Sequence, residues 1–133
     1  PRLSVATLDQ LGAAALYGVD PGYFNATRDE YRRRRDTCYR KLLEIPGIVT
    51  TEPQGAFYTM AKLPVDSAER FQLYLLQEFE DHGETVMFAP GSGFYATPGA
   101  GTSEIRIAYV RCVEELERSL TLLRLAIERY NQK

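Results

Sequence analysis

The residues best suited to chemistry lie in one stretch, "FAPGSGFYATPGAGTSEIRIAYV", from Phe88 to Val110. Gly91, Gly93, Gly99 and Gly101 crowd its first half, and Arg106 sits inside an alternating apolar segment. A glycine-rich loop can build a phosphate nest from backbone N–H groups. This one lacks the Gly-Lys-Ser/Thr of a P-loop, and it leads into a strand rather than opening a helix after G-x-G-x-x-G. A connection whose glycines take positive φ fits the spacing equally well. Arg106 also has two readings. Ile105 and Ile107 take one strand face, and Glu104, Arg106 and Ala108 take the other. The arginine either faces solvent on a half-exposed sheet or projects into a cleft and clamps a carboxylate with its forked guanidinium. Spacing alone leaves both open.

Three other features invite chemistry and read more simply. Arg32 to Arg35 form a basic run, but consecutive helical residues point in four directions, and Asp29, Glu30 and Asp36 lie beside them. A solvated helix with local ion pairs is expected there, not a nucleic-acid surface. His82 precedes Gly83, where a helix C-terminus would favour a cation. No second histidine or nearby Ser or Cys partner completes a triad. Cys112 falls at the start of the last helix, where a thiol pKa can drop. A small residue opening the helix is the plainer reading.

Elements must position these residues, and composition bounds what they can build. The chain has 133 residues, 44% of them hydrophobic and 26% charged, with a formal net charge of −2. That suits one ordinary domain with a real core and gives no pull toward nucleic acid or membrane. Two cysteines, Cys38 and Cys112, without a His/Cys cluster, argue against a disulfide framework or a zinc site and suit a reducing, cytoplasmic setting. No apolar run reaches membrane-spanning length. The start at Pro1 rather than Met suggests a domain cut from a longer protein.

Leu3 to Tyr17 reads as a helix capped in left-handed geometry at Gly18. "VDPGYF" follows as a turn. A long amphipathic helix starts at the Thr27/Glu30 capping box, carries Tyr31, Cys38, Leu42 and Ile45 on one stripe, and stops at Pro46-Gly47. "GIVTTE" and "GAFYTMAKL" are strands, the second with Phe57, Thr59 and Ala61 facing one way. Asp66 to His82 is a helix with Phe71, Tyr74, Leu75 and Phe79 inward. "ETVMFAP" and "EIRIAYV" are strands. The last helix carries Val113, Leu116, Leu120, Leu123, Ile127 and Tyr130 on one apolar face. This order predicts an α+β fold: a small, antiparallel-containing sheet of about four strands with helices packed on one face.

"PQGAFY" (Pro53 to Tyr58), a helix, "VMFAPGSGF" (Val86 to Phe94), "EIRIAYV" and a long terminal helix occur in that order. The combination resembles the C-terminal part of class I/II aminotransferases, fold-type-I pyridoxal-phosphate enzymes of the aspartate-aminotransferase superfamily. The resemblance runs from about "EYRRRRD" (Glu30 to Asp36) to the end.

The resemblance implies a small domain over residues 48–133, a turn and bridging helix over 21–47, and a remnant of the large domain over 1–20. It implies that Arg106 binds the α-carboxylate of an amino-acid substrate. It also implies that Gly91, Ser92 and Phe94 belong to a mobile loop at the active-site entrance, with "TPGAG" (Thr97 to Gly101) a longer connection before the arginine strand. Substrates would be an amino acid, with aspartate favoured, and a 2-oxo acid; the whole protein would be a homodimer. The cofactor's Schiff-base lysine has no counterpart in Lys41, Lys62 or Lys133, none of which stands in a Ser-x-x-Lys setting. No catalytic residue is therefore expected here, and the chain alone should be inactive. The same fold hosts carbon–sulfur lyases and the sensor domains of some transcription regulators, and both stay open.

Overall fold

A computed structural model describes residues 4–132. The chain divides into two compact units between Glu30 and Tyr31. In the first, α1 spans Thr7–Ala14 and runs into a 3₁₀ turn at Ala15–Gly18. Leu3, the expected helix start, lies outside the described residues. The left-handed cap at Gly18 does not form, since positive φ among glycines is confined to Gly47, Gly83, Gly99 and Gly101. No residue of α1 is buried.

The "VDPGYF" turn is instead the opening of α2, which spans Pro21–Leu43. Asp20 Oδ1 accepts the Gly22 N–H at 2.6 Å, and Pro21 fills the first helical position, where its missing N–H is no loss. A cap from Asp20 therefore displaces the expected Thr27/Glu30 box, which lies inside the helix. Past Leu43 the chain turns at Gly47, whose φ of +80° suits glycine.

The second unit holds the sheet. Its strands are β1 (Val49–Thr50), β2 (Tyr58–Lys62), β3 (Ala89–Pro90) and β4 (Glu104–Ala108). They pair antiparallel throughout, in the order β1-β2-β4-β3. Between them lie α3 (Ala68–Gln77) and, at the end, α4 (Val113–Tyr130). The expected α+β arrangement is the observed one. Thr59, Ala61 and Ile105 occupy the covered face and are buried with Cys38 and Leu42 of α2, Phe71 and Leu75 of α3, and Leu116, Leu120 and Leu123 of α4. Each such leucine, fully buried, adds about 1.5–3 kcal/mol of apolar transfer.

Two expected elements are shorter than their sequence patterns. Ser67 caps α3 by accepting the Arg70 N–H, but the helix ends at Gln77, and Phe79 reaches the core from beyond it. His82 is thus not at a helix terminus. It takes φ 55° beside Gly83 at 77° in a tight turn closed by the Asp81–Glu84 bridge, the geometry of a hairpin turn. "ETVMFAP" is strand only at its last two residues. Phe57, grouped by alternation with Thr59 and Ala61 on one face, precedes β2 and is exposed. Among the described residues, no helix is long and apolar enough to cross a membrane.

Candidate functional site

β2 and β4 build the site by their register. Met60 pairs with Arg106 and Tyr58 with Ala108, so Tyr58, Met60, Glu104, Arg106 and Ala108 share the face turned away from the helices. Alternation alone puts Arg106 there, because Ile105 must be in the core. The guanidinium carbon of Arg106 lies 5.4 Å from the centroid of the Tyr58 ring and 4.9 Å from that of Phe94. The two rings hold it by cation–π attraction without consuming its N–H donors.

Those donors have no partner among the described residues. Every other described arginine has a polar or charged partner: Arg28 with Asp29, Arg35 with Asp36, Arg40 with Glu117, Arg70 with Asp66, Arg111 with Glu115, Arg118 with Glu84, Arg124 with Glu128, Arg129 with Asp81. Arg32 and Arg33 are engaged as well, and Arg34 donates to the Val110 carbonyl at 2.6 Å. Among the described residues Arg106 makes no hydrogen bond and no ion pair. Of the basic run on α2, Arg35 pairs with its neighbour Asp36 as expected, whereas the reach of Arg34 to Val110 was not visible in sequence.

The glycine loop packs against this strand. The Gly91 N–H donates to the Glu104 carbonyl at 2.7 Å, and a Cβ at Gly91 would lie 2.8 Å from that oxygen. Its φ is −78°, so glycine is needed for close approach, not for backbone freedom. Ser92 Oγ donates to Glu69 Oε1 at 2.6 Å, which ties the loop to α3. Gly99 and Gly101 do take positive φ, +80° and +70°. The Thr97–Gly101 connection is closed by Ala100 N–H to Thr97 O and by Thr102 Oγ1 to Gly99 O. Thr102 O in turn accepts the first amide of α3, that of Ala68. Tyr95 donates from its hydroxyl to Glu104 Oε2 at 2.5 Å, and that bond, then burial, raises the tyrosine pKa. Tyr58 and Tyr95 escaped the sequence reading, whereas alternation had already put Glu104 on the face of Arg106. Tyr58 became legible as a neighbour of Arg106 only once the register was known.

Phe94 therefore meets Arg106, while Gly91 packs on the Glu104 backbone and Ser92 bonds to Glu69 of α3. His82 and Cys112 do not join them. Cys112 is the N-cap residue of α4 but does not have the lowered thiol pKa that a helix N-terminus can give. The Glu115 backbone pulls its pKa down, yet the Glu115 carboxylate, burial and Glu114 outweigh it, and the thiol is raised.

A cofactor phosphate finds little in this loop. The N–H groups of Gly91, Phe94 and Tyr95 are spent on backbone carbonyls. Lys41 is paired with Glu44 at 2.8 Å on α2, and Lys62 ends β2 opposite Glu104. Among the described residues no group of metal-ligating residues occurs. What the arrangement can do is bind an anion of carboxylate shape.

An open antiparallel sheet with helices on one face defines an α+β domain. The family model for "Aminotransferase class I and II" matches residues 3–122. The chain belongs to that family. It is 30% identical over 132 residues to an aspartate aminotransferase of Bacillus subtilis, covering 94% of this chain and 31% of the relative. It is 33% identical over 129 residues to an aspartate aminotransferase of a Bacillus species, covering 95% and 30%. Among solved structures, alanine aminotransferase from Pyrococcus furiosus superposes with TM-score 0.75 at 32% identity, over 96% of this chain and 31% of that one. The chain thus spans about a third of the length of these relatives.

Proposed function

We propose that this chain is the substrate-carboxylate-binding part of a pyridoxal-phosphate-dependent aminotransferase. The whole protein moves an amino group from an amino acid to a 2-oxo acid, and aspartate is the favoured donor. The observation that carries the reading is Arg106: a forked cation held between two aromatic rings, with no partner among the described residues. Its parallel N–H donors match both oxygens of an α-carboxylate, which fixes the substrate in place and sets its orientation. Gly91, Ser92 and Phe94 form the loop that closes beside it.

In this reading the cofactor and the catalytic lysine belong to other parts of the protein, since Lys41, Lys62 and Lys133 do not stand in a Ser-x-x-Lys setting. By this reading the 133 residues alone do not bind pyridoxal phosphate covalently and do not transaminate. The same reading makes residues 48–133 the small domain, 21–47 the bridging helix, 1–20 a remnant of the large domain, and the whole a homodimer. Cys38 and Cys112 are both free thiols, which suits a cytoplasmic setting.

The test is Arg106→Lys in the full-length enzyme. Lysine keeps the charge and loses the fork. KM for the amino acid should rise about ten- to a hundredfold, the worth of one charge-assisted hydrogen bond. Turnover of a primary amine without an α-carboxylate should not change. An unaltered KM for the amino acid sinks the proposal.

A further inference from the structure

Glu104 stands two residues from Arg106 on the same face of β4. Such positions lie about 7 Å apart at Cα, a gap that glutamate and arginine side chains span with ease. An ion pair between them would fill the arginine fork. It does not form. Glu104 Oε2 instead accepts the Tyr95 hydroxyl at 2.5 Å. Lys62, directly opposite Glu104 in the ladder, makes no ion pair with it either, among the described residues.

Tyr95 is held to this task by its surroundings. A Cβ at Gly101 would lie 2.6 Å from two carbons of the Tyr95 ring, so the ring fills the space another residue would need. Its backbone N–H donates to Ser92 O at 3.3 Å, which closes the short turn that also carries Phe94. The hydrogen bond to Glu104, followed by burial, raises the phenol pKa, so the hydroxyl stays a donor through the ordinary pH range.

We propose that Tyr95 is a positioning residue that keeps Arg106 vacant. By donating to Glu104 it restrains the nearest carboxylate along the strand and leaves the guanidinium fork to the carboxylate of a small-molecule ligand. The inference rests on reading Arg106 as a carboxylate anchor. It explains how a glutamate and an arginine occupy one strand face without neutralising each other. Without the tyrosine hydroxyl, the ligand must compete with an internal carboxylate.

A double-mutant cycle in the full-length protein tests it. The readout is the dissociation constant of succinate, a non-reacting carboxylate, by calorimetry. Tyr95→Phe keeps the ring against Gly101 and removes only the hydroxyl. With Glu104 present it should weaken succinate about fivefold, the upper worth of an exposed ion pair. In the Glu104→Gln background the same change should have no effect, because no carboxylate is left to restrain. A ring that merely packs would weaken binding equally in both backgrounds, and equal loss, or no loss in either, overturns the proposal. Arg106→Lys separates the two levels. If it binds succinate as the wild type does, the carboxylate reading falls and the Tyr95 role with it. If it loses succinate while Tyr95→Phe is silent, only the Tyr95 role falls.

Discussion

The guanidinium of Arg106 stands 4.9 Å from the centroid of the Phe94 ring, so the glycine loop reaches the arginine itself through a cation–π contact. At an exposed site such a contact is worth about 0.5–1 kcal/mol. Phe94→Ala should therefore weaken carboxylate binding by about two- to fivefold, well short of the loss from Arg106→Lys. Phe94→Tyr, which keeps the ring face, should bind as the wild type does. Succinate titration of the full-length variants checks both, and a loss as large as that of Arg106→Lys would show that the ring does more than orient.

Gly91 and Gly93 lie two residues apart and predict opposite results. A Cβ at Gly91 meets the Glu104 carbonyl carbon at 2.9 Å and its oxygen at 2.8 Å, both backbone atoms that cannot swing aside. Gly91→Ala should force the loop off β4 and cost about 1–3 kcal/mol, the usual range for overpacking. A Cβ at Gly93 meets nothing within 4 Å, and Gly93→Ala should leave the denaturation midpoint unchanged. Urea unfolding of the two variants side by side is the measurement.

Arg106, its strand and the last helix were legible because each rests on a strong periodic signal. Alternation placed Ile105 inward and Arg106 outward, and the spacing of Leu116, Leu120, Leu123 and Ile127 placed α4 on the core. The open alternative, solvent or cleft, was settled only in part by local geometry. Tyr58 and Phe94 come to the guanidinium from residues 48 and 12 positions away in sequence, contacts that no local pattern encodes. The misread boundaries have local causes. Asp20 outcompeted Thr27 as a cap because Pro21 is already set for a first helical turn. His82 left the expected helix because a left-handed two-residue turn at His82-Gly83 reverses the chain after Phe79 has reached the core. Gly91 was read for backbone freedom, whereas its role is contact with a strand more than ten residues ahead.

The two cysteines should differ sharply in behaviour. Cys38 is 1% exposed, and burial pushes its thiol up to about 12. Cys112 is exposed. A thiol reagent at neutral pH should label Cys112 in the native protein and reach Cys38 only after unfolding. The raised Cys38 value also sets a pH window. Below its ordinary value of 9.0 the thiol is neutral in both states, and pH does not act through it. Between 9.0 and about 12 only the unfolded chain loses the proton, so stability falls as pH rises. The slope is at most about 1.4 kcal/mol per pH unit, and Cys38→Ala should remove that part of it. Urea midpoints at pH 8 and pH 10 for the two proteins decide the matter.

Tyr109 is the buried peg of the aromatic turn that delivers Tyr58. Its hydroxyl donates toward the carbonyls of Gly55, at 3.0 Å, and Ala56, at 3.2 Å, while its own N–H donates to Phe57 O at 2.9 Å. Ala56 sits at φ 61°, a left-handed conformation that a side chain opposes by about 1–2 kcal/mol. The tyrosine thus helps pin a strained turn immediately before β2. Tyr109→Phe leaves the turn carbonyls without this donor and should cost about 1–2 kcal/mol. Ala56→Gly relieves the strain and should restore part of that loss when the two are combined, since glycine takes positive φ freely. If the turn also positions Tyr58 against Arg106, Tyr109→Phe should weaken succinate binding in the full-length protein beyond its effect on stability, and Ala56→Gly should not. A stability loss without any change in succinate affinity would separate the peg from the arginine it was expected to serve.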